Sequence, residues 1–158
     1  MTLSKFIELY GGFIGGVLLV AALFGLTGVP AYNSYVAAFR AIPSVTGCIF
    51  GFVLALFGLI IQGDGPIIQK MKIRKVLFNR YISFTKRIIW ISLFLTVYSL
   101  VLAYVNPEWV RNILRVGVAV LKIFKVICIG TMFTFSFWLI TDLIIFVNLF
   151  FLLIRMTK

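Results

Sequence analysis

The stretch "VICIGTMFTFSFWLITDLIIFVNLFFLLI", Val126 to Ile154, decides the fold, because its only charged residue is Asp142. As an α-helix it is about 43 Å long at about 1.5 Å per residue, whereas the hydrocarbon core of a bilayer is about 30 Å thick. The sequence therefore predicts a helix that crosses a membrane and either tilts or projects beyond it.

The composition of the whole chain points to the same environment. Hydrophobic residues make up 63% of the 158 residues and charged residues 12%, whereas a soluble domain is about 45–50% apolar and about 25% charged. A domain of this size still exposes a large surface, so its own core cannot hide the excess. We therefore predict an all-α integral membrane protein.

Three further apolar stretches are long enough to cross, since a spanning helix needs about 20 residues. Pro43 introduces the second span, and Asn106-Pro107 ends the third. We predict one membrane domain over 1–158, a four-helix bundle with a long C-terminal transmembrane helix. Its predicted parts are spans at 6–29, 44–62, 88–105 and 126–154, a basic loop at 63–87 and an amphipathic helix at 107–125.

Lys and Arg are distributed unequally between the two sides of this topology. Most of the 15 cations flank the termini or lie in the 63–87 loop. Because cytoplasmic loops carry the excess of Lys and Arg, we expect both termini and this loop to face the cytoplasm, in a multi-pass protein of the cell inner membrane. The net charge of +11 would then meet anionic headgroups, so we expect membrane lipids as partners and no direct binding of nucleic acid.

The basic loop mixes Ile, Val, Leu and Phe with its cations, which suits contact with an anionic membrane surface or with a cytoplasmic protein partner. The residues assigned to this contact are Lys70, Lys72, Arg74, Lys75 and Arg80. Topogenic charge alone would explain the cations but not the interleaved apolar residues. The pattern is strand-like over 70–75 and more helical over 76–84, which leaves the local structure open.

A second basic feature precedes the fourth span, between Pro107 and Lys125. Charges recur there on one helical face, and the cations of this basic stripe are Arg111, Arg115, Lys122 and Lys125. Outer-leaflet headgroups, a water-filled lumen between several copies, or an acidic partner would each fit it. We expect a basic extracytoplasmic extension of the fourth helix, packed at the rim of an oligomer.

The first two spans hold three G-x-x-x-G pairs: Gly11/Gly15, Gly12/Gly16 and Gly47/Gly51. Glycine lets two helix backbones approach closely, which matters in lipid because the hydrophobic driving force between helices is missing there. An interface between copies and packing within one chain fit the pattern equally. Either interpretation predicts close helix contacts at these positions.

Asp142 lies near the middle of the fourth span, where a charge is expensive. No cation is expected at its depth on another span, so its carboxyl should face a bundle interior, a partner helix or water, or stay protonated. A polar stripe accompanies it, formed by Thr134, Thr141 and Asn148. We favour a polar contact or pathway, built from the Asp142 residues of several copies, over a protonated carboxyl bonded to a neighbouring hydroxyl.

Cys48 and Cys128 lie in apolar runs and are predicted to be small buried side chains, not a disulfide. Tyr81 and Trp90 are expected at one membrane interface and Tyr104 and Trp109 at the other, as members of aromatic belts.

Catalysis is the least supported function class. The chain has no histidine and four acidic residues, so a nucleophile–base pair, a metal cluster or paired carboxylates outside the membrane would each need residues that it lacks. We expect no catalytic residue, metal site or cofactor. Two classes remain: a homo-oligomeric scaffold or sensor that recruits a cytoplasmic effector, and an oligomeric ion channel or membrane-permeabilising pore lined by the fourth helix.

The stretch "GFVLALFGLIIQGDGPIIQKMKIRKVLFNRYISFTKRIIWISLFLTVYSLVLA", Gly51 to Ala103, resembles the small four-span membrane proteins of bacterial antiviral defence, such as the membrane subunit of Kiwa-type systems. The shared pattern is an apolar span, a short segment of mixed apolar and basic residues, and a second span. The resemblance implies an inner-membrane oligomer that detects infection or membrane perturbation and works with a separately encoded cytoplasmic effector. Phage holins are also small basic membrane oligomers, which keeps the pore alternative open.

Overall fold

The computed structural model describes residues 3–28, 33–63, 69, 73, 75–105 and 117–155. They form four α-helices: α1 (Leu3–Thr27), α2 (Asn33–Gln62), α3 (Lys75–Tyr104) and α4 (Val118–Arg155). The prediction of an all-α bundle is confirmed.

Three of these helices contain stretches long and apolar enough to cross a membrane: Tyr35–Gln62, Phe78–Tyr104 and Val118–Leu152. The apolar part of α1, Tyr10–Leu26, is shorter. All four helices also expose large hydrophobic side chains on their outer faces, for example Leu18, Leu59, Val97 and Ile127. The chain is a membrane protein, because helices with apolar outer faces are stable in lipid and not in water.

The second helix begins earlier than predicted, because Pro43 does not interrupt it. α2 starts at Asn33 and runs through Pro43, although proline lacks the N–H that a helix needs. Transmembrane helices tolerate proline where hydroxyl groups bond to the backbone near it. The Thr46 hydroxyl makes backbone bonds next to Pro43, with its oxygen 2.9 Å from the Ile42 carbonyl oxygen and 3.3 Å from that of Pro43, whereas the helix bond that proline itself cannot make is the one to residue 39.

The third helix also begins earlier than predicted. α3 starts at Lys75, so the C-terminal part of the predicted 63–87 loop is helical, as the spacing over 76–84 suggests. The fourth helix continues N-terminally to Val118, so Lys122 and Lys125 belong to the same helix as the span. The remaining predicted basic residues lie outside the described residues: Lys70, Lys72, Arg74, Arg111 and Arg115.

The main helix contacts join α2 to α3, α3 to α4, and α4 to α1. α3 and α4 run antiparallel, since the Tyr98 hydroxyl donates to the Cys128 carbonyl at one end and the Tyr81 ring stacks on Phe146 at the other. Tyr81 is fully buried, so its predicted place in an aromatic belt is wrong. The arrangement leaves α1 and α2 at the two outer sides, each with faces that none of the other three described helices covers.

Candidate functional site

A bidentate ion pair joins α3 to α4. Arg87 Nε lies 2.5 Å from Asp142 Oδ2, and Arg87 Nη2 lies 2.6 Å from Asp142 Oδ1. The side chain of Asp142 is 2% exposed and that of Arg87 16%. A guanidinium that donates to both oxygens of a carboxylate makes the strong, directional form of a charged hydrogen bond. The charge of Asp142 is therefore neutralised inside one chain.

This ion pair contradicts the expectation that no cation lies at the depth of Asp142. The apolar run of the third span begins at Ile88. If the helix also began there, Arg87 would lie in the preceding loop. The helix instead starts at Lys75, so Arg87 lies more than three turns inside it. The signal that could have found it is the helical spacing over 76–84, which continues without a break into the span.

Aromatic rings enclose the Arg87 guanidinium. Its central carbon lies 4.6 Å from the centre of the Phe84 ring and 5.9 Å from that of the Trp138 ring. Phe13 of α1 packs edge-on against Trp138, with ring centres 5.4 Å apart. Cation–π attraction thus adds to the ion pair, and three helices contribute to this one site.

Two buried polar atoms beside the ion pair have no hydrogen-bond partner in the described part of the chain. They are the Tyr81 hydroxyl and Trp138 Nε1. Trp138 lies one turn before Asp142 in α4, and Tyr81 stacks on Phe146, one turn after it, with ring centres 4.8 Å apart. Buried donors of this kind are uncommon in folded proteins. A buried hydrogen-bond donor without a partner among the described residues therefore lies on each side of Asp142 along α4.

The predicted polar stripe of α4 does not form one surface. Thr134 is buried, Thr141 is half-buried and donates its hydroxyl to the Phe137 carbonyl at 2.9 Å, and Asn148 is exposed. Both threonines lie against α1. They therefore belong to a helix-packing surface, and Asn148 does not join them.

The glycines of α1 pack against α4 within the same chain. A Cβ added to Gly12 would lie 2.7 Å from Trp138 Cδ1, and one added to Gly16 would lie 2.8 Å from the Thr134 carbonyl oxygen. A Cβ at Gly15 would lie 3.1 Å from Phe137 Cε1. Of the two interpretations of these glycines, this geometry corresponds to intrachain packing. A Cβ at Gly11 would meet only Ile7 of its own helix, at 3.6 Å.

The glycines of α2 face outward. A Cβ added to Gly47 or Gly51 would meet nothing within 4 Å among the described residues. Cys48 is exposed beside them, so its predicted burial is wrong, whereas Cys128 is buried as predicted. In transmembrane helices, small residues are enriched where another helix packs closely. The outward glycines of α2 are therefore a candidate surface for such a contact.

The predicted basic residues that the structure describes lie near the starts of α3 and α4. Lys75 and Arg80 are exposed at the start of α3, and Lys122 is exposed and Lys125 half-buried near the start of α4. No group of three His, Cys, Asp or Glu within the described residues could hold a metal ion.

Comparison of the chain with protein-family models, with curated proteins and with solved structures finds no match.

Proposed function

We propose that this chain is a non-enzymatic inner-membrane protein that forms a homo-oligomer and acts as a scaffold or sensor, recruiting a cytoplasmic effector. In this proposal both termini and the segment between α2 and α3 face the cytoplasm, and the resemblance of residues 51–103 to Kiwa-type membrane subunits suggests antiviral defence. The observation that carries the proposal is the outward glycine face of α2.

That face is the best candidate for the contact between copies. Gly12, Gly15 and Gly16 of α1 are already used against α4, whereas an added Cβ at Gly47 or Gly51, one turn apart on α2, would meet nothing within 4 Å among the described residues. In a bilayer, two such faces can approach until their backbones are in van der Waals contact. A second copy of α2 would bury the exposed glycines on both chains, which makes a symmetric dimer the simplest assembly.

A pore lined by the fourth helix is less well supported. A lumen needs polar side chains that face water, but Asp142 is buried against Arg87, and Thr134 is buried against α1. Of the polar residues predicted to line it, Asn148 is exposed. The ion pair thus favours the scaffold over the pore.

Cys48 provides a native test of the α2 interface. It is exposed next to Gly47, so a symmetric α2–α2 contact brings the Cys48 residues of two copies together. Mild oxidation of membranes containing the full chain should give a disulfide-linked dimer on a non-reducing gel. Cys48→Ser should abolish this product, and Cys128→Ser should leave it unchanged because Cys128 is buried.

Glycine variants give the matched comparison. Gly51→Leu should prevent crosslinking and lower the mass of the purified protein in detergent to that of one chain. Gly25→Leu, at another glycine whose added Cβ meets nothing within 4 Å, should change neither result. A monomeric wild type, or crosslinking that survives Gly51→Leu, would rule out this interface.

Recruitment can be tested separately on the segment between α2 and α3. A cytoplasmic protein that co-purifies with the wild type should be lost when Lys70, Lys72 and Arg74 are changed to Glu, while the oligomer keeps its mass. Retention of that protein by the variant would remove this segment as the recruiting element.

A further inference from the structure

The outer face of α3 carries a lysine and a tryptophan inside its apolar stretch. Lys86 is exposed, and Trp90 is 72% exposed. The two residues lie one turn apart in the helix, about 40° from each other around its axis, and therefore share one face. Neither side chain makes a hydrogen bond or an ion pair with another described residue. This face thus presents a cation and an N–H donor without a partner from the described part of the chain.

The span that contains Lys86 and Trp90 gives their depth in the membrane. The candidate span of α3 is Phe78–Tyr104, and its middle residue is Ile91. At about 1.5 Å per residue, Lys86 lies about 7–8 Å from this middle and Trp90 about 1–2 Å. The hydrocarbon core extends about 15 Å to each side of its own middle. With the span centred in the bilayer, both residues lie inside the hydrocarbon, and Trp90 is near the middle instead of at the interface that the sequence predicts.

The span of α4 gives a consistent depth. Its candidate span is Val118–Leu152, with Phe135 in the middle, so Asp142 lies about 10 Å from the middle toward the C-terminal end of α4. Arg87, which bonds to Asp142, lies about 6 Å from the middle of the α3 span toward the N-terminal end of α3. Because the two helices are antiparallel, these displacements are in the same direction, and they agree to within about one turn. The ion pair and Lys86 therefore lie in the same half of the hydrocarbon.

The chain pairs one of two neighbouring cations and leaves the other on its surface. Arg87 donates to both oxygens of Asp142. Asp142 is the only acidic residue among the side chains that the structure describes, so none of them remains for Lys86. Ionisable residues inside membrane spans almost always pair with one another or face an enclosed or water-filled space. A counter-charge for Lys86 has to come from outside the described side chains.

We propose that Lys86 and Trp90 form a docking site for a transmembrane helix of another protein, one that carries a carboxyl side chain at the depth of Lys86. The carboxylate would accept hydrogen bonds from the Lys86 ammonium, and an oxygen near the middle of the same helix would accept one from Trp90 Nε1. This inference requires that α3 crosses the membrane, and it does not depend on the α2 contact or on a cytoplasmic effector.

The depth of Trp90 favours a helix over a lipid headgroup as the occupant. A lysine side chain can extend toward the headgroups and place its ammonium there. A headgroup does not reach Trp90, which lies about 13–14 Å inside the hydrocarbon edge, where a polar group without a partner is costly. A helix that packs along α3 passes both residues, because they are only about 6 Å apart along the axis.

The acids of a second copy match the site less well. In the sequence, Asp64 comes after the end of α2 and Glu108 after the end of α3, so neither belongs to a span. Asp142 of a second copy is occupied by the Arg87 of that copy. Glu8 in the sequence of α1 is the remaining acid, and its substitution separates a second copy from another protein.

A synthetic helix serves as the probe. The full chain is reconstituted at neutral pH in phosphatidylcholine vesicles with a leucine–alanine transmembrane peptide that carries one glutamate five residues from its middle and a dansyl group. Energy transfer from the tryptophans of the chain to the dansyl group measures binding. A peptide with glutamine in place of the glutamate is the matched control. We expect the glutamate peptide to bind about fivefold to thirtyfold more tightly than the glutamine peptide, as polar contacts between model transmembrane helices do.

Two charge-matched variants assign this preference to Lys86. Lys86→Gln should bind the two peptides equally, whereas Lys122→Gln, which removes the same charge near the start of α4, should keep the preference. Equal binding of the two peptides by the wild type would overturn the proposal and leave Lys86 to the lipid headgroups. Loss of the preference in Lys122→Gln as well would also overturn it, because the effect would then follow total charge.

The mass of the purified protein in detergent separates this site from a contact between copies. Lys86→Gln should have the same mass as the wild type, since the occupant is a different protein. A lower mass for Lys86→Gln would overturn the proposal, and the same loss in Glu8→Gln would identify a second copy as the occupant.

Discussion

Arg87 donates to both oxygens of Asp142 and lies against the rings of Phe84 and Trp138, so each charge depends on the other residue for its stability. Removing one partner of a buried pair leaves an uncompensated charge, which is more harmful than replacing both partners with apolar residues of similar volume. The ion pair therefore joins α3 to α4 through a contact that a single substitution can break.

Asp142→Ala should lower the free energy of unfolding by about 3–5 kcal/mol, because Arg87 is left without its carboxylate. Arg87→Met/Asp142→Leu should recover most of that loss, since neither charge remains. Denaturant unfolding in detergent micelles, followed by circular dichroism, measures both. A single variant within about 1 kcal/mol of the wild type would show that the pair contributes little.

Thr46 and Thr96 form a second polar contact between helices, with their hydroxyl oxygens 2.7 Å apart. Thr46→Val keeps the shape of the side chain but removes this bond together with those to the Ile42 and Pro43 carbonyls. The share of the Thr46–Thr96 bond is therefore its coupling energy, which we expect at about 0.6 kcal/mol, the typical value for such bonds in membranes. A double-mutant cycle with Thr96→Val measures the coupling, and full additivity would argue against the bond.

At the scale of elements, α1 and α4 are joined by a seam of small residues. The backbones approach closely where Gly12 and Gly16 face Trp138 and Thr134, and Gly130 of α4 in turn faces Val20 at 3.2 Å from its added Cβ. In lipid there is no hydrophobic driving force between helices, so van der Waals contacts contribute much of their association. The strength of the α1–α4 contact therefore depends on how closely the two backbones approach.

Gly16→Ala should destabilise the protein by about 1–3 kcal/mol, since the new Cβ would lie 2.8 Å from the backbone oxygen of Thr134 and force the helices apart. Gly25→Ala is the matched control in the same helix. Its Cβ meets nothing within 4 Å, so the higher helix propensity of alanine should leave stability unchanged or raise it by up to about 1 kcal/mol. Equal effects of the two substitutions in thermal unfolding would contradict the seam.

The sequence predicts the elements better than their partners. Composition and apolar run length suffice for an all-α membrane protein, because both follow from the solvent that the side chains require. Arg87 was missed because charge near the end of an apolar run looks the same in a loop and in a helix. The glycine pattern predicts closeness but not which helix approaches, since Gly16 and Gly51 each end a G-x-x-x-G pair in the sequence, whereas an added Cβ would meet Thr134 at Gly16 and nothing within 4 Å among the described residues at Gly51.

At the scale of the whole molecule, the outer face of α2 and the enclosed ion pair together favour assembly over conduction. If the chain is a scaffold, the pathway for ions that Asp142 and its neighbours could have lined is closed within each copy. A scaffold and a pore differ in whether they make the membrane permeable to ions, so a permeability measurement separates the two functions.

Liposomes that contain the purified chain alone should therefore remain tight to small ions. Arg111→Ala/Arg115→Ala should leave them tight as well, because the stripe would then face lipid or protein. Ion flux through the wild type, altered in rate or selectivity by Asp142→Ala or by the arginine variant, would favour the pore instead.

The contact between the first helix and the last has a consequence for biosynthesis. α1 leaves the ribosome before the other helices, yet the surface that receives its glycines, around Thr134 and Trp138, is made more than 100 residues later. Until then α1 must remain in the membrane or the insertion machinery without its partner. The docking of α1 on α4 joins residues that are far apart in the chain, so it comes late in folding. A chain truncated before α4 would keep an undocked first helix, which cellular quality control should recognise.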